Sequence, residues 1–185
     1  KKNEYKYRWE YLGEPIGSGV VPFNNLVFRT ITDDEIASFD NIRQGNDWGY
    51  ATDPVAFVRL HYDKTRNRIF IFDEFYGVKK SNKELANWII KKGYQYDMTI
   101  CDSAEPKSVD ELKSYEVRAK GAKKGPGSVE YGEKWLDDLE EIIIDARRTP
   151  NVAREFENID YQVDKDGNPK AKLEDKDNHS MGIVA

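Results

Sequence analysis

Two aspartates stand where a core-forming sequence would ordinarily exclude them. Asp47, in GNDWGYATDPVAFVRL at residues 45–60, sits at the mouth of an alternating apolar run, and Asp102, in MTICDSAEP, closes another. Aspartate is poor in strand interiors and costly to bury unpaired. Side by side, two carboxylates repel strongly in a partly buried site, and a divalent cation between them reverses that sign. Mg²⁺ or Mn²⁺ prefers carboxylate oxygen and water, and two such ions about 4 Å apart activate a water and stabilise the leaving oxygen of a phosphodiester. The plainer reading is that each aspartate caps local structure, Asp47 a turn in GNDWG and Asp102 the helix after SAEP. A whole βα excursion separates the two, so spacing leaves both readings open. The carboxylates meet if the first and fourth strands are neighbours.

His179, in DKDNHSMG, follows Asp175 and Asp177 in a helix-starting stretch and is a candidate ligand or proton-handling neighbour of the same ions. His61 alternates with Arg59 on a strand and reads as structural. A third feature is the basic stretch RAKGAKKGPGS, with Arg118, Lys120, Lys123 and Lys124 and no acid. It is either a solvated connection or a phosphate-facing loop whose lysines and backbone N–H groups precede a helix near Ser128. A G-x-S-x-G elbow, a phosphate-binding G-x-x-x-x-G-K-[ST] loop and a zinc-type Cys/His set are all missing from the sequence, against serine-hydrolase, P-loop nucleotidase and zinc chemistry in these residues.

The elements around these residues follow from pattern. The 185 residues, 38% hydrophobic and 34% charged with a net charge of −5, suffice for one domain with a real core. No apolar run approaches a membrane span, and the lone Cys101 reads as a small core residue. Residues 1–40 read as a Gly- and Pro-rich lead-in, and the start without methionine suggests a piece of a longer protein. A strand over Ala51–Tyr62 and a returning strand in RIFIFDEFYGV pair as a hairpin, with Ile69 to Phe72 apolar on both faces. SNKELANWIIKKG is a helix with a Ser81–Glu84 capping box and a terminal Gly93. A short strand in DMTICD, a helix in EPKSVDELKSY, a further strand in EVRAKG, a helix over GSVEYGEKWLDDLEEI, a strand in IIID, a helix in TPNVAREFENI and a hairpin turning at Asp166-Gly167 complete the chain, before a last helix entered at DNHSM. Antiparallel strands followed by alternating helix and strand predict a mixed sheet with helices on its faces.

YLGEP, DWGYATDPVA, TICDSAEPKSVDEL, KGPGSVEYG and DNHSM, in this order, make the chain resemble the C-terminal nuclease domain of the large terminase subunit of tailed bacteriophages, in the group infecting Gram-positive hosts. The resemblance implies a ribonuclease H-like α/β fold over residues 41–185 with a small C-terminal β-hairpin, preceded at 1–40 by a lead-in from an ATPase domain of the same full-length chain. It implies a metal-dependent endonuclease that cuts concatemeric double-stranded DNA when packaging starts and ends, working in the host cytoplasm with Mg²⁺ or Mn²⁺ (two ions), a small terminase subunit and a portal protein. Asp47 and Asp102 fall on the family's metal-holding aspartates and His179 on the histidine of a His-x-x-Asp pattern, whose acidic position is here Gly182. Lys120, Lys123 and Lys124 become candidate DNA-backbone contacts. The alternatives are another ribonuclease H-like nuclease, such as a junction resolvase, and a non-catalytic domain docking on the packaging motor.

Overall fold

The computed structural model describes residues 22–49, 52–166, 168–174 and 178–185. The YLGEP motif, Ala51, Gly167 of the hairpin turn, Asp175 and Asp177 lie outside them. Among the described residues no helix is long and apolar enough to cross a membrane.

Among the described residues nine strands and six helices follow one another as β1 (Leu26–Phe28), α1 (Asp33–Ala37), β2 (Ile42–Asp47), β3 (Val55–Asp63), β4 (Arg68–Gly77), α2 (Asn82–Lys91), β5 (Thr99–Cys101), α3 (Pro106–Ser114), β6 (Ala119–Gly121), α4 (Ser128–Asp137), β7 (Glu141–Ile144), α5 (Pro150–Asn158), β8 (Tyr161–Val163), β9 (Pro169–Leu173) and α6 (His179–Val184). Seven strands form one sheet in the order β1-β7-β4-β3-β2-β5-β6. Only β3 runs against its neighbours; the other pairings are parallel. β8 and β9 form a separate antiparallel hairpin.

The doubly apolar run of β4 is covered on both sides, as its sequence requires. Ile69 and Ile71 join Val58 and Leu60 of β3 against α4, α5 and α6, with Leu136, Val152, Phe156, Met181 and Val184 completing that layer. Phe70 and Phe72 pack with Ile31, just ahead of α1. Farther along that second face Val55, Phe57 and Cys101 meet Leu85 and Ile89 of α2 and Leu112 of α3. The Ser81–Glu84 capping box forms as expected, each residue bonding the other's backbone N–H. The Ser81 N–H and then the Lys80 ammonium hold the Glu84 carboxyl down at about 2.

Three sequence expectations change. Asp47 does not introduce the Ala51–Tyr62 strand but ends a strand of its own, β2, which pairs antiparallel with β3. β2 escapes hydrophobic patterning because it is IRQGND: it buries Gln44, Gly45 and Asn46, and Gln44 meets the buried Arg59 side chain. The helix expected over residues 127–142 stops at Asp137, because the β-branched run behind it is captured by β4 and β1. Finally, residues 26–37, within the stretch read as a lead-in, supply β1 and α1. Phe23 and Ile31 are core residues, and the buried Asp145 carboxylate accepts the Ile31 N–H at 2.9 Å. A strand of three residues in a Gly- and Pro-rich context carries too little pattern to be seen alone.

Gly45 is a point of close approach on the sheet face that carries the candidate site. A Cβ there would lie 2.8 Å from the Ile100 carbonyl oxygen and 2.8 Å from Ile183 Cγ2 of α6. The missing side chain lets α6 lie on β2. Gly45→Ala is therefore expected to cost about 1–3 kcal/mol, the usual range for overpacking, read as a lower urea midpoint at constant m-value. An unchanged midpoint would mean that α6 sits farther from β2 than this.

Candidate metal centre

Register decides whether the aspartates meet. β2 and β5 are parallel neighbours, with Gln44 opposite Thr99 and Asn46 opposite Cys101. Asp47 and Asp102 therefore come next, side by side at the carboxyl ends of adjacent strands, where open α/β sheets gather their chemistry. The ladder runs one step beyond β5: Asp102 N–H donates to the Asn46 carbonyl at 3.0 Å. Trp48 adds a strap, its indole N–H donating to the Asp102 carbonyl oxygen at 2.9 Å.

The third side chain arrives from the far end of the sequence. His179 begins α6 and places Nδ1 3.0 Å from Asp47 Oδ2. That hydrogen bond raises the imidazole pKa above its ordinary value, against the opposing effect of burial. Asn178 contributes no side-chain cap to α6. Glu155 of α5 caps it instead, accepting the N–H groups of Ser180 at 2.6 Å and Met181 at 3.1 Å and the Ser180 hydroxyl at 3.3 Å. Burial pushes the Glu155 carboxyl up, and those two N–H bonds only partly offset it. Trp48 and Glu155 are the residues that sequence reasoning missed. The indole has no period that marks it, and a carboxylate capping another helix leaves no local motif.

Asp102 is engaged differently. Its Oδ1 accepts the Ala104 N–H at 3.2 Å and pairs with Lys124 Nζ at 2.9 Å. Burial raises its pKa, but Lys124 and the backbone donors together outweigh this and hold the carboxyl below its usual range. Lys124, expected to face phosphate, is thus turned onto a carboxylate. Lys120 and Lys123 are exposed nearby. Asp47, Asp102, Lys124, His179 and Gly182 all line one cleft of about 600 Å³, together with Glu133 of α4. His61 is structural: it is buried and stacks on Phe39 at 4.4 Å. Cys101 is fully buried, and burial pushes its thiol up to about 12.

Two carboxylates and an imidazole are a fitting donor set for Mn²⁺ or Mg²⁺, and one of those carboxylates already holds a cationic group. Among the described residues no three His, Cys, Asp or Glu side chains converge closely enough to complete a cation site. Gly182 is one reason: it lies on the exposed side of α6, and nothing stands within 4 Å of where its Cβ would be.

A mixed sheet with one antiparallel strand, helices on both faces and acidic residues ending adjacent parallel strands is the ribonuclease H-like arrangement. The chain belongs to the terminase RNase H-like domain family, whose model matches residues 47–182. It is 58% identical over 185 residues to the large terminase subunit of Bacillus phage SPP1, an alignment that takes in 98% of this chain and 44% of that protein. The chain thus spans less than half the length of that relative. Its fold superposes on the crystal structure of the SPP1 large terminase nuclease domain with bound Mn at a TM-score of 0.85 and 56% identity, covering 89% of this chain and 96% of that one. The P22 large terminase nuclease domain, 14% identical, shares the fold at a TM-score of 0.64, covering 92% of this chain and 89% of that one.

The Glu155 cap makes α6 testable apart from any activity. Glu155→Ala orphans two N–H groups and is expected to destabilise by roughly 2 kcal/mol or more, with faster amide exchange at Ser180 and Met181. Glu155→Gln keeps an acceptor oxygen for both and should retain most of that stability. Ala and Gln variants of equal stability would show that apolar packing alone holds the helix.

Proposed function

We propose that this chain is the metal-dependent endonuclease part of a DNA-packaging terminase, cutting concatemeric double-stranded DNA when packaging begins and ends. The observation that carries the reading is the placement of Asp47 and Asp102 side by side at the ends of two parallel strands. His179 shares their cleft, and the relative solved with Mn is 56% identical. A like-charged pair in this position has little structural purpose and a clear chemical one.

Asp47, Asp102 and His179 would hold the cations. Bound divalent cations supply Lewis acidity toward a phosphodiester and its attacking water. The chain's own residues do the rest. The β2–β5 ladder fixes the spacing of the carboxylates, Trp48 ties the end of β2 to Asp102, and Glu155 fixes the helix that presents His179. Lys120 and Lys123 draw the DNA backbone toward the cleft by charge. The ATPase part of the same full-length chain, a small subunit and a portal protein are the partners of this reading, and the host cytoplasm is its setting. Its rival is a non-catalytic domain docked on the motor, which Gly182 favours.

Mn²⁺ is expected to raise the melting temperature of this chain and to do much less for Asp102→Ala, because a ligand of the native state alone stabilises it. Plasmid DNA should be nicked or cut with Mn²⁺ and left intact with chelator. Equal thermal shifts in both proteins would sink the shared-cation reading, and a shift without cleavage would favour the docking rival.

Gly182 gives a sharper test. A two-metal phosphodiesterase needs enough anionic oxygen to hold its second ion, and the space at Gly182 admits a side chain without collision. Gly182→Asp should increase Mn²⁺-dependent cleavage and tighten a second Mn²⁺ in a calorimetric titration. Gly182→Ala controls for helix propensity, which alone gains about 1 kcal/mol. Equal gains from Ala and Asp would mark the effect as structural. No gain from either would mean that the site is complete without residue 182, and would turn attention to Asp175 and Asp177.

A further inference from the structure

Lys124 is the one lysine of the basic loop that lines the cleft, and it is paired with the carboxylate that the proposed reaction needs. The pair is asymmetric. The Asp102 side chain is 23% exposed while that of Lys124 is 57% exposed, so the ammonium reaches in from solvent and can return there. The backbone around it suits such a swing. The loop is pinned at its start, where Ala122 N–H donates to the Cys101 carbonyl at 2.7 Å, beside Asp102. Just past Lys124 it carries Gly125, with nothing within 4 Å of a Cβ, and Gly127, in the left-handed region at φ +76°. The loop is therefore anchored next to the carboxylate and open on its other side.

An ammonium at 2.9 Å from Asp102 Oδ1 and a divalent cation on the same carboxylate compete for its charge. Their mutual repulsion is twice that of two unit charges at the same distance, and the flexible lysine stem is the part able to move. We infer that Lys124 is a displaceable stand-in for the divalent cation: it neutralises Asp102 in the cation-free protein, and cation binding releases its ammonium toward the DNA phosphates beside the cleft. Cation loading and phosphate binding then share one switch, a lysine that cannot serve both. The inference rests on the proposed metal-dependent reading, and its test separates the two.

Mn²⁺ affinity, measured by calorimetry or by electron paramagnetic resonance of the free ion, should tighten roughly threefold or more in Lys124→Ala, the order expected for removing an exposed ion pair and a repelling charge. Lys123→Ala removes the same charge from the same loop without touching Asp102, and should change the affinity much less. In the unmodified protein, Mn²⁺ should also increase acylation of Lys124 by an amine-reactive ester, as the ammonium leaves its carboxylate, while Lys123 labels equally with and without the ion. An affinity unchanged or weakened in Lys124→Ala, or a Lys124 label indifferent to Mn²⁺, would overturn the stand-in role. The shared-cation reading beneath it fails separately, if Asp102→Ala binds Mn²⁺ as tightly as the unmodified chain.

Discussion

Everything at the candidate site depends on one short parallel ladder. β5 has three residues, and its pairing with β2 sets two partly exposed carboxylates beside each other in the cleft. Left alone, the pair would repel, and the strand ends would splay unless something opposed it. Three contacts do so. The Asp102 N–H extends the ladder onto the Asn46 carbonyl, Trp48 bridges from the end of β2 to the Asp102 carbonyl, and the basic loop is tied to Cys101 through Ala122. Each holds backbone rather than side chain, so the carboxylates stay in place while their oxygens remain available.

Charge is balanced residue by residue. Asp47 faces His179, whose imidazole it makes more basic, and Asp102 faces Lys124, which helps keep it ionised. Each acidic group thus has a basic partner from a distant segment, α6 for one and the β6–α4 loop for the other. Those pairs are partly exposed and individually weak. They act as a loose neutralisation of the site, well suited to exchange for a stronger cation. The buried polar groups behind the sheet are of another kind. Arg59 stacks on the Tyr94 ring at 3.9 Å and pairs with Asp97 at 2.8 Å, and Asp73 is held by Lys92 and Tyr94. These bind α2 and its following loop to the sheet.

What the sequence reveals divides along physical lines. The β3–β4 hairpin, the double coverage of β4, the capping box at Ser81 and the core placement of Cys101 are legible because period, turn chemistry and hydrophobicity all agree there. β2 is illegible for the opposite reason: a polar strand that buries Gln44 and Asn46 and carries a glycine has no alternation to read. Its glycine is explained only by α6, which arrives from residues 179–184 to lie on it. The pairing of Asp47 with His179, separated by 132 positions, is likewise a property of the assembled sheet. The ordered motifs pointed to both residues, but only topology shows them in contact. Lys124 is the instructive case. Composition marks it only as one lysine of a basic loop, while the partner it holds, Asp102, follows from the β5–β6 register that no local pattern encodes.

The departure at Gly182 fits this division of labour. If α6 were positioned by its ligand set, losing the acidic residue would loosen the helix and carry His179 away from Asp47. The helix is positioned otherwise. Glu155 caps its first turn, Met181 and Val184 bury its apolar side, and Ile183 closes against the bare backbone of Gly45. None of these contacts involves residue 182, which faces open space. A helix held by its cap and its packing keeps His179 in place whatever stands at that position. The number of anionic oxygens in the cleft can therefore change without a change of fold, and under the proposed reading residue 182 would be a place where cation affinity is set independently of the helix's position.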